Sequence, residues 1–407
     1  MKKKFVDFKV LAVSLGCAVV MGEISFIFLY MLGLSSVFRS YFPYCIWFLP
    51  LSGMLTAFVY KRYGGESSKG NNLIIQSANE GIKVPKRLAI LTFFFTLLTH
   101  FSGGSAGREG TAVQIGGTLT SNVADKFGFK GEDRKIIILS GISSAFGSVF
   151  GTPLAGAFFG MEVCCIGRLS VNALIPCFLS SYLANAVALL LGAEHNVNSI
   201  SIVPDISLKF ILVFISASII FGLLGKLFAL AVKYLKILYA KIFKNTILSA
   251  LVGSIIVTLL VVLLNLNDYE GLSTWQQTTA FEGNANWYDM PVKFILTTLT
   301  LGAGFQGGEV TPLFDIGASF GGWYGNICGI EPSFLAAIGL ICVFGSAANT
   351  PITTIMLGIE LFGVKATPYF VLASIISFIA SGKAGIYSAQ ERKLSKSLFG
   401  KKADFSE

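Results

Sequence analysis

Apolar residues run along this chain in long continuous stretches instead of alternating or striping. Residues 136–161, 169–193, 245–267 and 333–359 contain no charged side chain. Each stretch exceeds the roughly 20 residues that a helix needs to cross a hydrocarbon core of about 30 Å, and each is expected to span as helix. Shorter runs at 88–99, 294–306 and 316–330 predict broken or partly inserted helices. Runs without alternation argue against membrane strands. The pattern predicts an all-α polytopic membrane protein.

Polar punctuation between the runs is repeated. Gly107-Arg108-Glu109-Gly110-Thr111 returns 200 positions later as Gly307-Gly308-Glu309-Val310-Thr311. Phe146-Gly147-Ser148, Thr152-Pro153, Gly160 and Glu162 return at a constant offset of 198 as Phe344-Gly345-Ser346, Thr350-Pro351, Gly358 and Glu360. Two weakly similar apolar halves, each interrupted by a glycine-rich break, are the mark of a repeat-built transporter, and the breaks point to its substrate site. The expected organisation is one transmembrane domain over 1–388, with halves at about 10–195 and 205–388. A short cytoplasmic tail over 389–407 follows.

Composition agrees: 54% of the 407 residues are hydrophobic and 13% charged, with a mean hydropathy of +0.72. The net charge of +9 is concentrated partly at the ends, at Lys2, Lys3, Lys4 and Lys9 and at Arg392, Lys393, Lys396, Lys401 and Lys402. Basic ends favour both termini on the cytoplasmic side, so the charge reads as topology and not as nucleic-acid binding. Residues before Leu11 lack a small-residue cleavage site, and the first span is expected to stay in the mature chain. Seven cysteines without zinc or redox spacing and two isolated histidines predict no metal site. No phosphate-cradling loop or other cofactor motif is present.

The break around Glu109 carries the chemistry. Glycines let backbone N–H groups converge, and a helix starting there adds the positive end of its dipole, which together make an anion site. A carboxylate in that place competes with a permeant anion and leaves when protonated. Alternatively, Glu109 caps the helix or pairs with Arg108. A charge in the membrane interior costs about 2.5–3.5 kcal/mol on insertion scales, so Glu109 needs a partner or a task.

At these residues the chain resembles the CLC family of anion channels and proton-coupled antiporters. Gly107, Arg108, Glu109 and Gly110 match the family's signature around its gating glutamate. Gly70-Asn71-Asn72-Leu73 stands where the family has its first anion-binding loop. Gly307-Gly308-Glu309-Val310-Thr311-Pro312 stands where it has its third. Tyr387, taken to lie on the last helix, falls where the family keeps an anion-coordinating tyrosine. The resemblance extends from about Val10 to Ser388. It implies an inverted-repeat helical fold with broken and re-entrant helices, and a homodimer with a separate pathway in each subunit.

Departures narrow the resemblance. Chloride-handling members carry serine where this chain has Asn71, and apolar residues where it has Glu309 and Thr311. The internal proton glutamate of proton-coupled members is replaced by Val163. This pattern is similar to the CLC-F branch of bacterial fluoride/proton antiporters. The helix after the first loop reads Leu73-Ile74-Ile75-Gln76-Ser77 and lacks the aromatic pair found in that branch. Either this is a subtype without the pair, or the aromatic role is filled elsewhere.

Fluoride is small and strongly hydrated, so a site must replace its water with close donors. The amides of Asn71 and Asn72, the Thr311 hydroxyl, the Tyr387 phenol and backbone N–H groups can supply them. Ordinary loop and N-cap bonding would also account for Asn71 and Asn72. Burial and like-charge repulsion both favour the neutral acid at Glu309, which suits a group that exchanges protons. The resulting expectation is a proton-coupled fluoride exporter in a bacterial inner membrane. Its alternatives are a chloride/proton antiporter, a passive anion channel, or an embedded enzyme using Glu109 and Glu309 as an acid–base pair. Glu162 and Glu360 are expected to pair with Arg168 and Lys365, and Asp315 to cap or hydrogen-bond one turn after Thr311. His100 is expected to be structural.

Overall fold

Proline, glycine and asparagine decide where the helices stop. The structure, a computed structural model, describes residues 7–195 and 197–392. Residues 2–4 and 393–402, which carry much of the terminal basic charge, lie outside the described residues, as does most of the expected tail. Among the described residues sixteen α-helices form two series of eight. The first comprises α1 (Phe8–Tyr41), α2 (Leu49–Val59), α3 (Asn71–Glu80), α4 (Arg87–Phe101), α5 (Glu109–Lys126), α6 (Gly131–Phe150), α7 (Pro153–Glu162) and α8 (Leu174–Leu190). The second comprises α9 (Leu208–Ile242), α10 (Thr246–Leu264), α11 (Trp275–Phe281), α12 (Asp289–Gly302), α13 (Val310–Cys328), α14 (Pro332–Ala348), α15 (Pro351–Phe362) and α16 (Thr367–Ser381).

Each series opens with a helix far longer than a bilayer core. The 34 residues of α1 and 35 of α9 measure about 50 Å at 1.5 Å per residue, so both must tilt or project. Side chains cap their first turns: Asp7 accepts from the Lys9 N–H and Ser207 from the Phe210 N–H.

The charge-free stretches 169–193 and 245–267 contain the single helices α8 and α10. The other two do not span as one helix. Stretch 136–161 is cut between α6 and α7, and 333–359 between α14 and α15. Gly151 and Asn349 take left-handed conformations at the C-caps of α6 and α14. Pro153 and Pro351 then restart the chain at the first turns of α7 and α15. A proline has no N–H to continue the preceding ladder but suits a first turn. Apolar length alone overestimated these two as spans.

The expectation that Glu162 and Glu360 pair with Arg168 and Lys365 also needs correction. Glu162, ending α7, accepts from the N–H groups of Ile352 and Thr353 (3.0 and 2.7 Å) and from the Thr353 hydroxyl (2.7 Å). Glu360, on α15, accepts from the N–H groups of Leu154 and Ala155, both at 2.8 Å. Each acid caps the other's helix. The unpaired amides of a proline-led helix start are better partners than a distant, hydrated cation.

The core lies between the two series. Phe146 packs on Phe159 at 4.4 Å between ring centroids, and Phe344 lies 6.0 Å from Phe146 and 5.3 Å from Phe314. Helices α13 and α14 approach until a Cβ added to Gly317 would lie 2.1 Å from the Gly339 carbonyl oxygen. Small residues allow such close packing in lipid. Strand β1 (Cys165–Ile166) pairs in parallel with β2 (Glu391–Arg392). The chain therefore stays attached to the body beyond residue 388.

Candidate functional site

The two glycine-rich breaks meet back to back. Gly107 and Gly308 form an antiparallel bridge, exchanging N–H···O bonds of 2.7 and 2.6 Å. Helix α5 starts on one side of the bridge and α13 on the other. Side chains would prevent this crossing: a Cβ at Gly308 would meet the backbone nitrogens of Arg108, Glu109 and Gly110 at 2.9–3.0 Å.

Glu109, fully buried, reaches across to the start of α13. Its Oε1 accepts from the Thr311 hydroxyl at 2.5 Å and its Oε2 from the Thr311 N–H at 3.1 Å. The Arg108 N–H donates to Oε2 at 3.1 Å, and Arg108 Nε lies 3.3 Å from Oε1. A carboxylate thus occupies the N-terminus of α13, where amide, hydroxyl and helix dipole converge on negative charge. The pairing with Arg108, one of the two expected arrangements, is present in the structure. Gly107 permits this packing, since a Cβ there would lie 3.0 Å from Glu109 Oε2 and 2.8 Å from Pro312 Cδ.

Matching the two sequence motifs at an offset of 200 aligns Glu109 with Glu309. The structure shifts that alignment by one residue. Gly107 pairs with Gly308, α5 begins at Glu109, and α13 begins at Val310, with Glu309 as its N-cap (φ −99°, ψ −16°). The N-cap of α5 is Arg108. Glu309 therefore corresponds to Arg108, and the two glutamates point into different cavities. Glu109 faces a narrow one of about 50 Å³ lined also by Arg108, Thr274, Gln277 and Thr311. Glu309 faces a larger one of about 530 Å³, which it shares with Asn71, Asn72, Gln114 and Tyr387.

Asn71, the first residue of α3, brings an open amide oxygen to this larger cavity, as does Gln114. Its Oδ1 is buried without a hydrogen-bond partner among the described residues. A Cβ on Gly110 would lie 3.0 Å from its Nδ2, so Gly110 brings the amide against the break. Asn72 is committed differently: its Oδ1 accepts from the Ala389 N–H at 3.0 Å and ties α3 to the chain's last described residues. Tyr387 does not lie on a helix, since α16 ends at Ser381. It lies in the irregular segment that follows and is 5% exposed, with its ring against Phe159 at 6.4 Å between centroids. His100 is buried, and its Nε2 lies 3.3 Å from the Gly107 carbonyl oxygen, a bracing contact on the break.

Sequence reading missed two polar side chains, Gln277 and Lys293, which meet Asp315 near Glu109. Gln277 donates to Asp315 Oδ1 at 2.7 Å, and Lys293 Nζ lies 3.7 Å from Asp315 Oδ2. Asp315 does hydrogen-bond, as expected, but to α11. A lone lysine directly before the apolar run 294–306 was the available signal.

Comparison with known proteins fits this geometry. Residues 52–382 match the family described as voltage gated chloride channel. A "Chloride/fluoride channel protein" of Pseudomonas syringae pv. tomato is 38% identical over 380 residues, covering 92% of this chain and 84% of the relative. An H(+)/Cl(−) exchange transporter of Vibrio parahaemolyticus is 26% identical over 344 residues, covering 80% of this chain and 72% of the relative. Among solved structures, a CLC-type fluoride/proton antiporter superposes with a TM-score of 0.91 at 33% identity, over 96% of this chain and all of the other. A slow cyanobacterial Cl−/H+ antiporter shares the fold, with a TM-score of 0.80 at 18% identity over 93% and 96% of the two chains.

Proposed function

We propose that this chain, which belongs to the voltage gated chloride channel (CLC) family, is a proton-coupled fluoride exporter. The observation that carries the reading is the Glu109 carboxylate seated on the Thr311 hydroxyl and N–H. A group that occupies an anion site when charged and leaves it when neutral links anion passage to protonation.

Fluoride suits the donors around that seat. Each donor to a charged group is worth about 1.5–3 kcal/mol, and a small ion gains from several at close range. Thr311 supplies such a donor at the seat, and the Asn71 Nδ2 and the Tyr387 hydroxyl supply others in the larger cavity. Asn72 has a structural duty as well. Gly107 and Gly110 let the backbone approach, while Arg108 balances Glu109.

Glu309 is assigned the second proton-exchanging position, because Val163 carries no proton and Glu309 faces the cavity leading to Asn71. With the N-terminus of α1 inside, α1 carries the chain outward and α2 returns it. That places Lys61 and the larger cavity on the cytoplasmic side, where fluoride would be collected. The reading includes a homodimer in a bacterial inner membrane, with both termini cytoplasmic and the transmembrane domain divided into halves near residues 195–205. Lipid, fluoride and protons are its partners, and no chemical conversion is required.

The test is transport by purified protein in liposomes, with fluoride efflux and proton uptake recorded together beside an identical chloride experiment. Fluoride leaving with stoichiometric proton uptake, and chloride moving far more slowly, supports the reading. Comparable chloride flux replaces it with chloride/proton exchange, and fluoride flux without protons reduces the protein to a channel.

A further inference from the structure

Behind Glu109 lies an ion pair that the transport cycle above does not use. Lys293 on α12 and Asp315 on α13 are both fully buried. Taking two charges out of water costs several kcal/mol per ion, and their attraction does not reliably restore it. Intramembrane ionisable groups are retained chiefly where they act.

The pair's connections lead to the gate. Asp315 stands four residues after Thr311, on the same face of α13 and one turn further in. Its Oδ1 accepts from Gln277, whose side chain lines the Glu109 cavity. Among the described residues Asp315 Oδ2 has no hydrogen-bond partner, and Lys293, 3.7 Å away, is its salt-bridge partner. Lys293 Nζ donates to the carbonyls of Gly271 and Leu272 at 3.0 and 3.1 Å. The Gly271 carbonyl also accepts from the Ala106 N–H of the break at 3.4 Å. The carboxylate therefore sits on the helix that holds Glu109, while the ammonium sits on the wall behind it.

We infer that Asp315 and Lys293 form a positioning pair whose opposed charges set the external pH at which Glu109 is released from Thr311. This rests on the proton-coupled reading of Glu109. Asp315 places negative charge near Glu109 and offsets part of the attraction of Arg108. Lys293 limits that effect. Other charged or titratable groups facing this region include Arg39 on α1, which pairs with Glu270 at 3.7 Å, His100 on α4, His195 near Arg108, Tyr387, and Glu309 across the Gly107–Gly308 bridge.

The pair predicts displacements of opposite sign. Asp315→Asn removes the nearer negative charge, so Glu109 stays ionised to lower pH and the pH of half-maximal proton-coupled fluoride flux falls. Lys293→Gln removes the counter-charge, and that pH rises. A unit charge several ångströms away through a partly screened interior moves a neighbouring acid by about one pH unit, and a shift of that size is expected in each direction. The double variant is expected to return to the wild-type midpoint.

Purified wild type, both single variants and the double variant are reconstituted in liposomes, and fluoride and proton flux are followed from external pH 4.5 to 8. Wild type moving fluoride without protons would remove the reading of Glu109 itself. Coupled wild type with singles that shift in the same direction, or not at all, would overturn the pair's role. So would a double variant that folds and transports at a displaced midpoint, since two opposed charges that set this pH together must cancel when both are removed.

Discussion

Glu109 and Glu309 occupy successive, not equivalent, positions at the two helix starts: Glu309 is the N-cap of α13, whereas Glu109 is the first residue of α5. One residue of register separates a carboxylate pointing at Thr311 from one pointing at the Asn71 cavity. The two acids should therefore fail differently. Glu109→Gln leaves a neutral side chain that no longer competes with fluoride, and proton coupling is expected to be lost while fluoride still moves. Glu309→Gln is expected to keep the fold and weaken proton exchange from the larger cavity. Paired fluoride and proton traces in liposomes distinguish the outcomes, and unchanged coupling in Glu309→Gln would remove Glu309 from the cycle.

Thr311 gives Glu109 both a hydroxyl and a backbone bond. Thr311→Val keeps the shape and the amide but deletes the hydroxyl. A lost hydrogen bond to a charged group is worth about 1.5–3 kcal/mol, so half-maximal fluoride efflux is expected to need at least tenfold more fluoride. Asn71→Ser, which shortens the open amide beside Gly110, is expected to raise chloride flux relative to fluoride. The flux ratio of the two anions, measured in the same vesicles, checks it.

The reciprocal caps make a prediction about stability. Glu162 holds three donors at the start of α15, and Glu360 holds two at the start of α7. Alanine at either position leaves amides of a proline-led first turn without a partner. A lost cap costs about 0.5–2 kcal/mol, so both alanine variants should melt earlier in detergent. Glu162→Gln keeps an accepting oxygen and should melt between alanine and wild type. Its proton-to-fluoride ratio should equal that of wild type, and a changed ratio would assign Glu162 to the proton route.

Much of this was legible in the linear chain because helices and breaks are local. Charge-free runs located α8 and α10, and repeated glycines located the crossing. The Thr-Pro positions at 152–153 and 350–351 were visible too, yet apolar length outweighed them and two broken segments were read as spans. Glu162 was assigned to Arg168 because sequence shows neighbours and not the helix start brought in from 190 residues away. Register at the bridge was hidden for a related reason. The motifs align best at 200, but Gly107 meets Gly308 through backbone bonds that leave no mark in residue identity. Gln277, Lys293 and Asp315 come together from three helices, and no spacing in one of them announces the others.

The last prediction concerns Glu270, in the connector between α10 and α11. It is 6% exposed, and its Oε2 lies 3.7 Å from Arg39 Nε. Burial pushes its carboxyl up to about 7, against the attraction of Arg39 and with a smaller push from Asp268. A carboxyl raised in the folded protein holds its proton over a range in which the unfolded chain has released it. Its contribution to stability is complete below about pH 4.5 and is lost as pH rises through about 7. Arg39 stays charged throughout and adds no slope of its own. Wild type should therefore lose melting temperature between pH 5 and 8, and Glu270→Gln should lose less, by roughly 1 °C for each kcal/mol of this contribution. Melting curves in detergent at four or five pH values decide it, with the slope and not the absolute temperature as the readout, because Glu270→Gln also leaves Arg39 without its counter-charge. Parallel slopes in the two proteins would show that Glu270 is already ionised at pH 5 and that the Arg39 pair outweighs its burial.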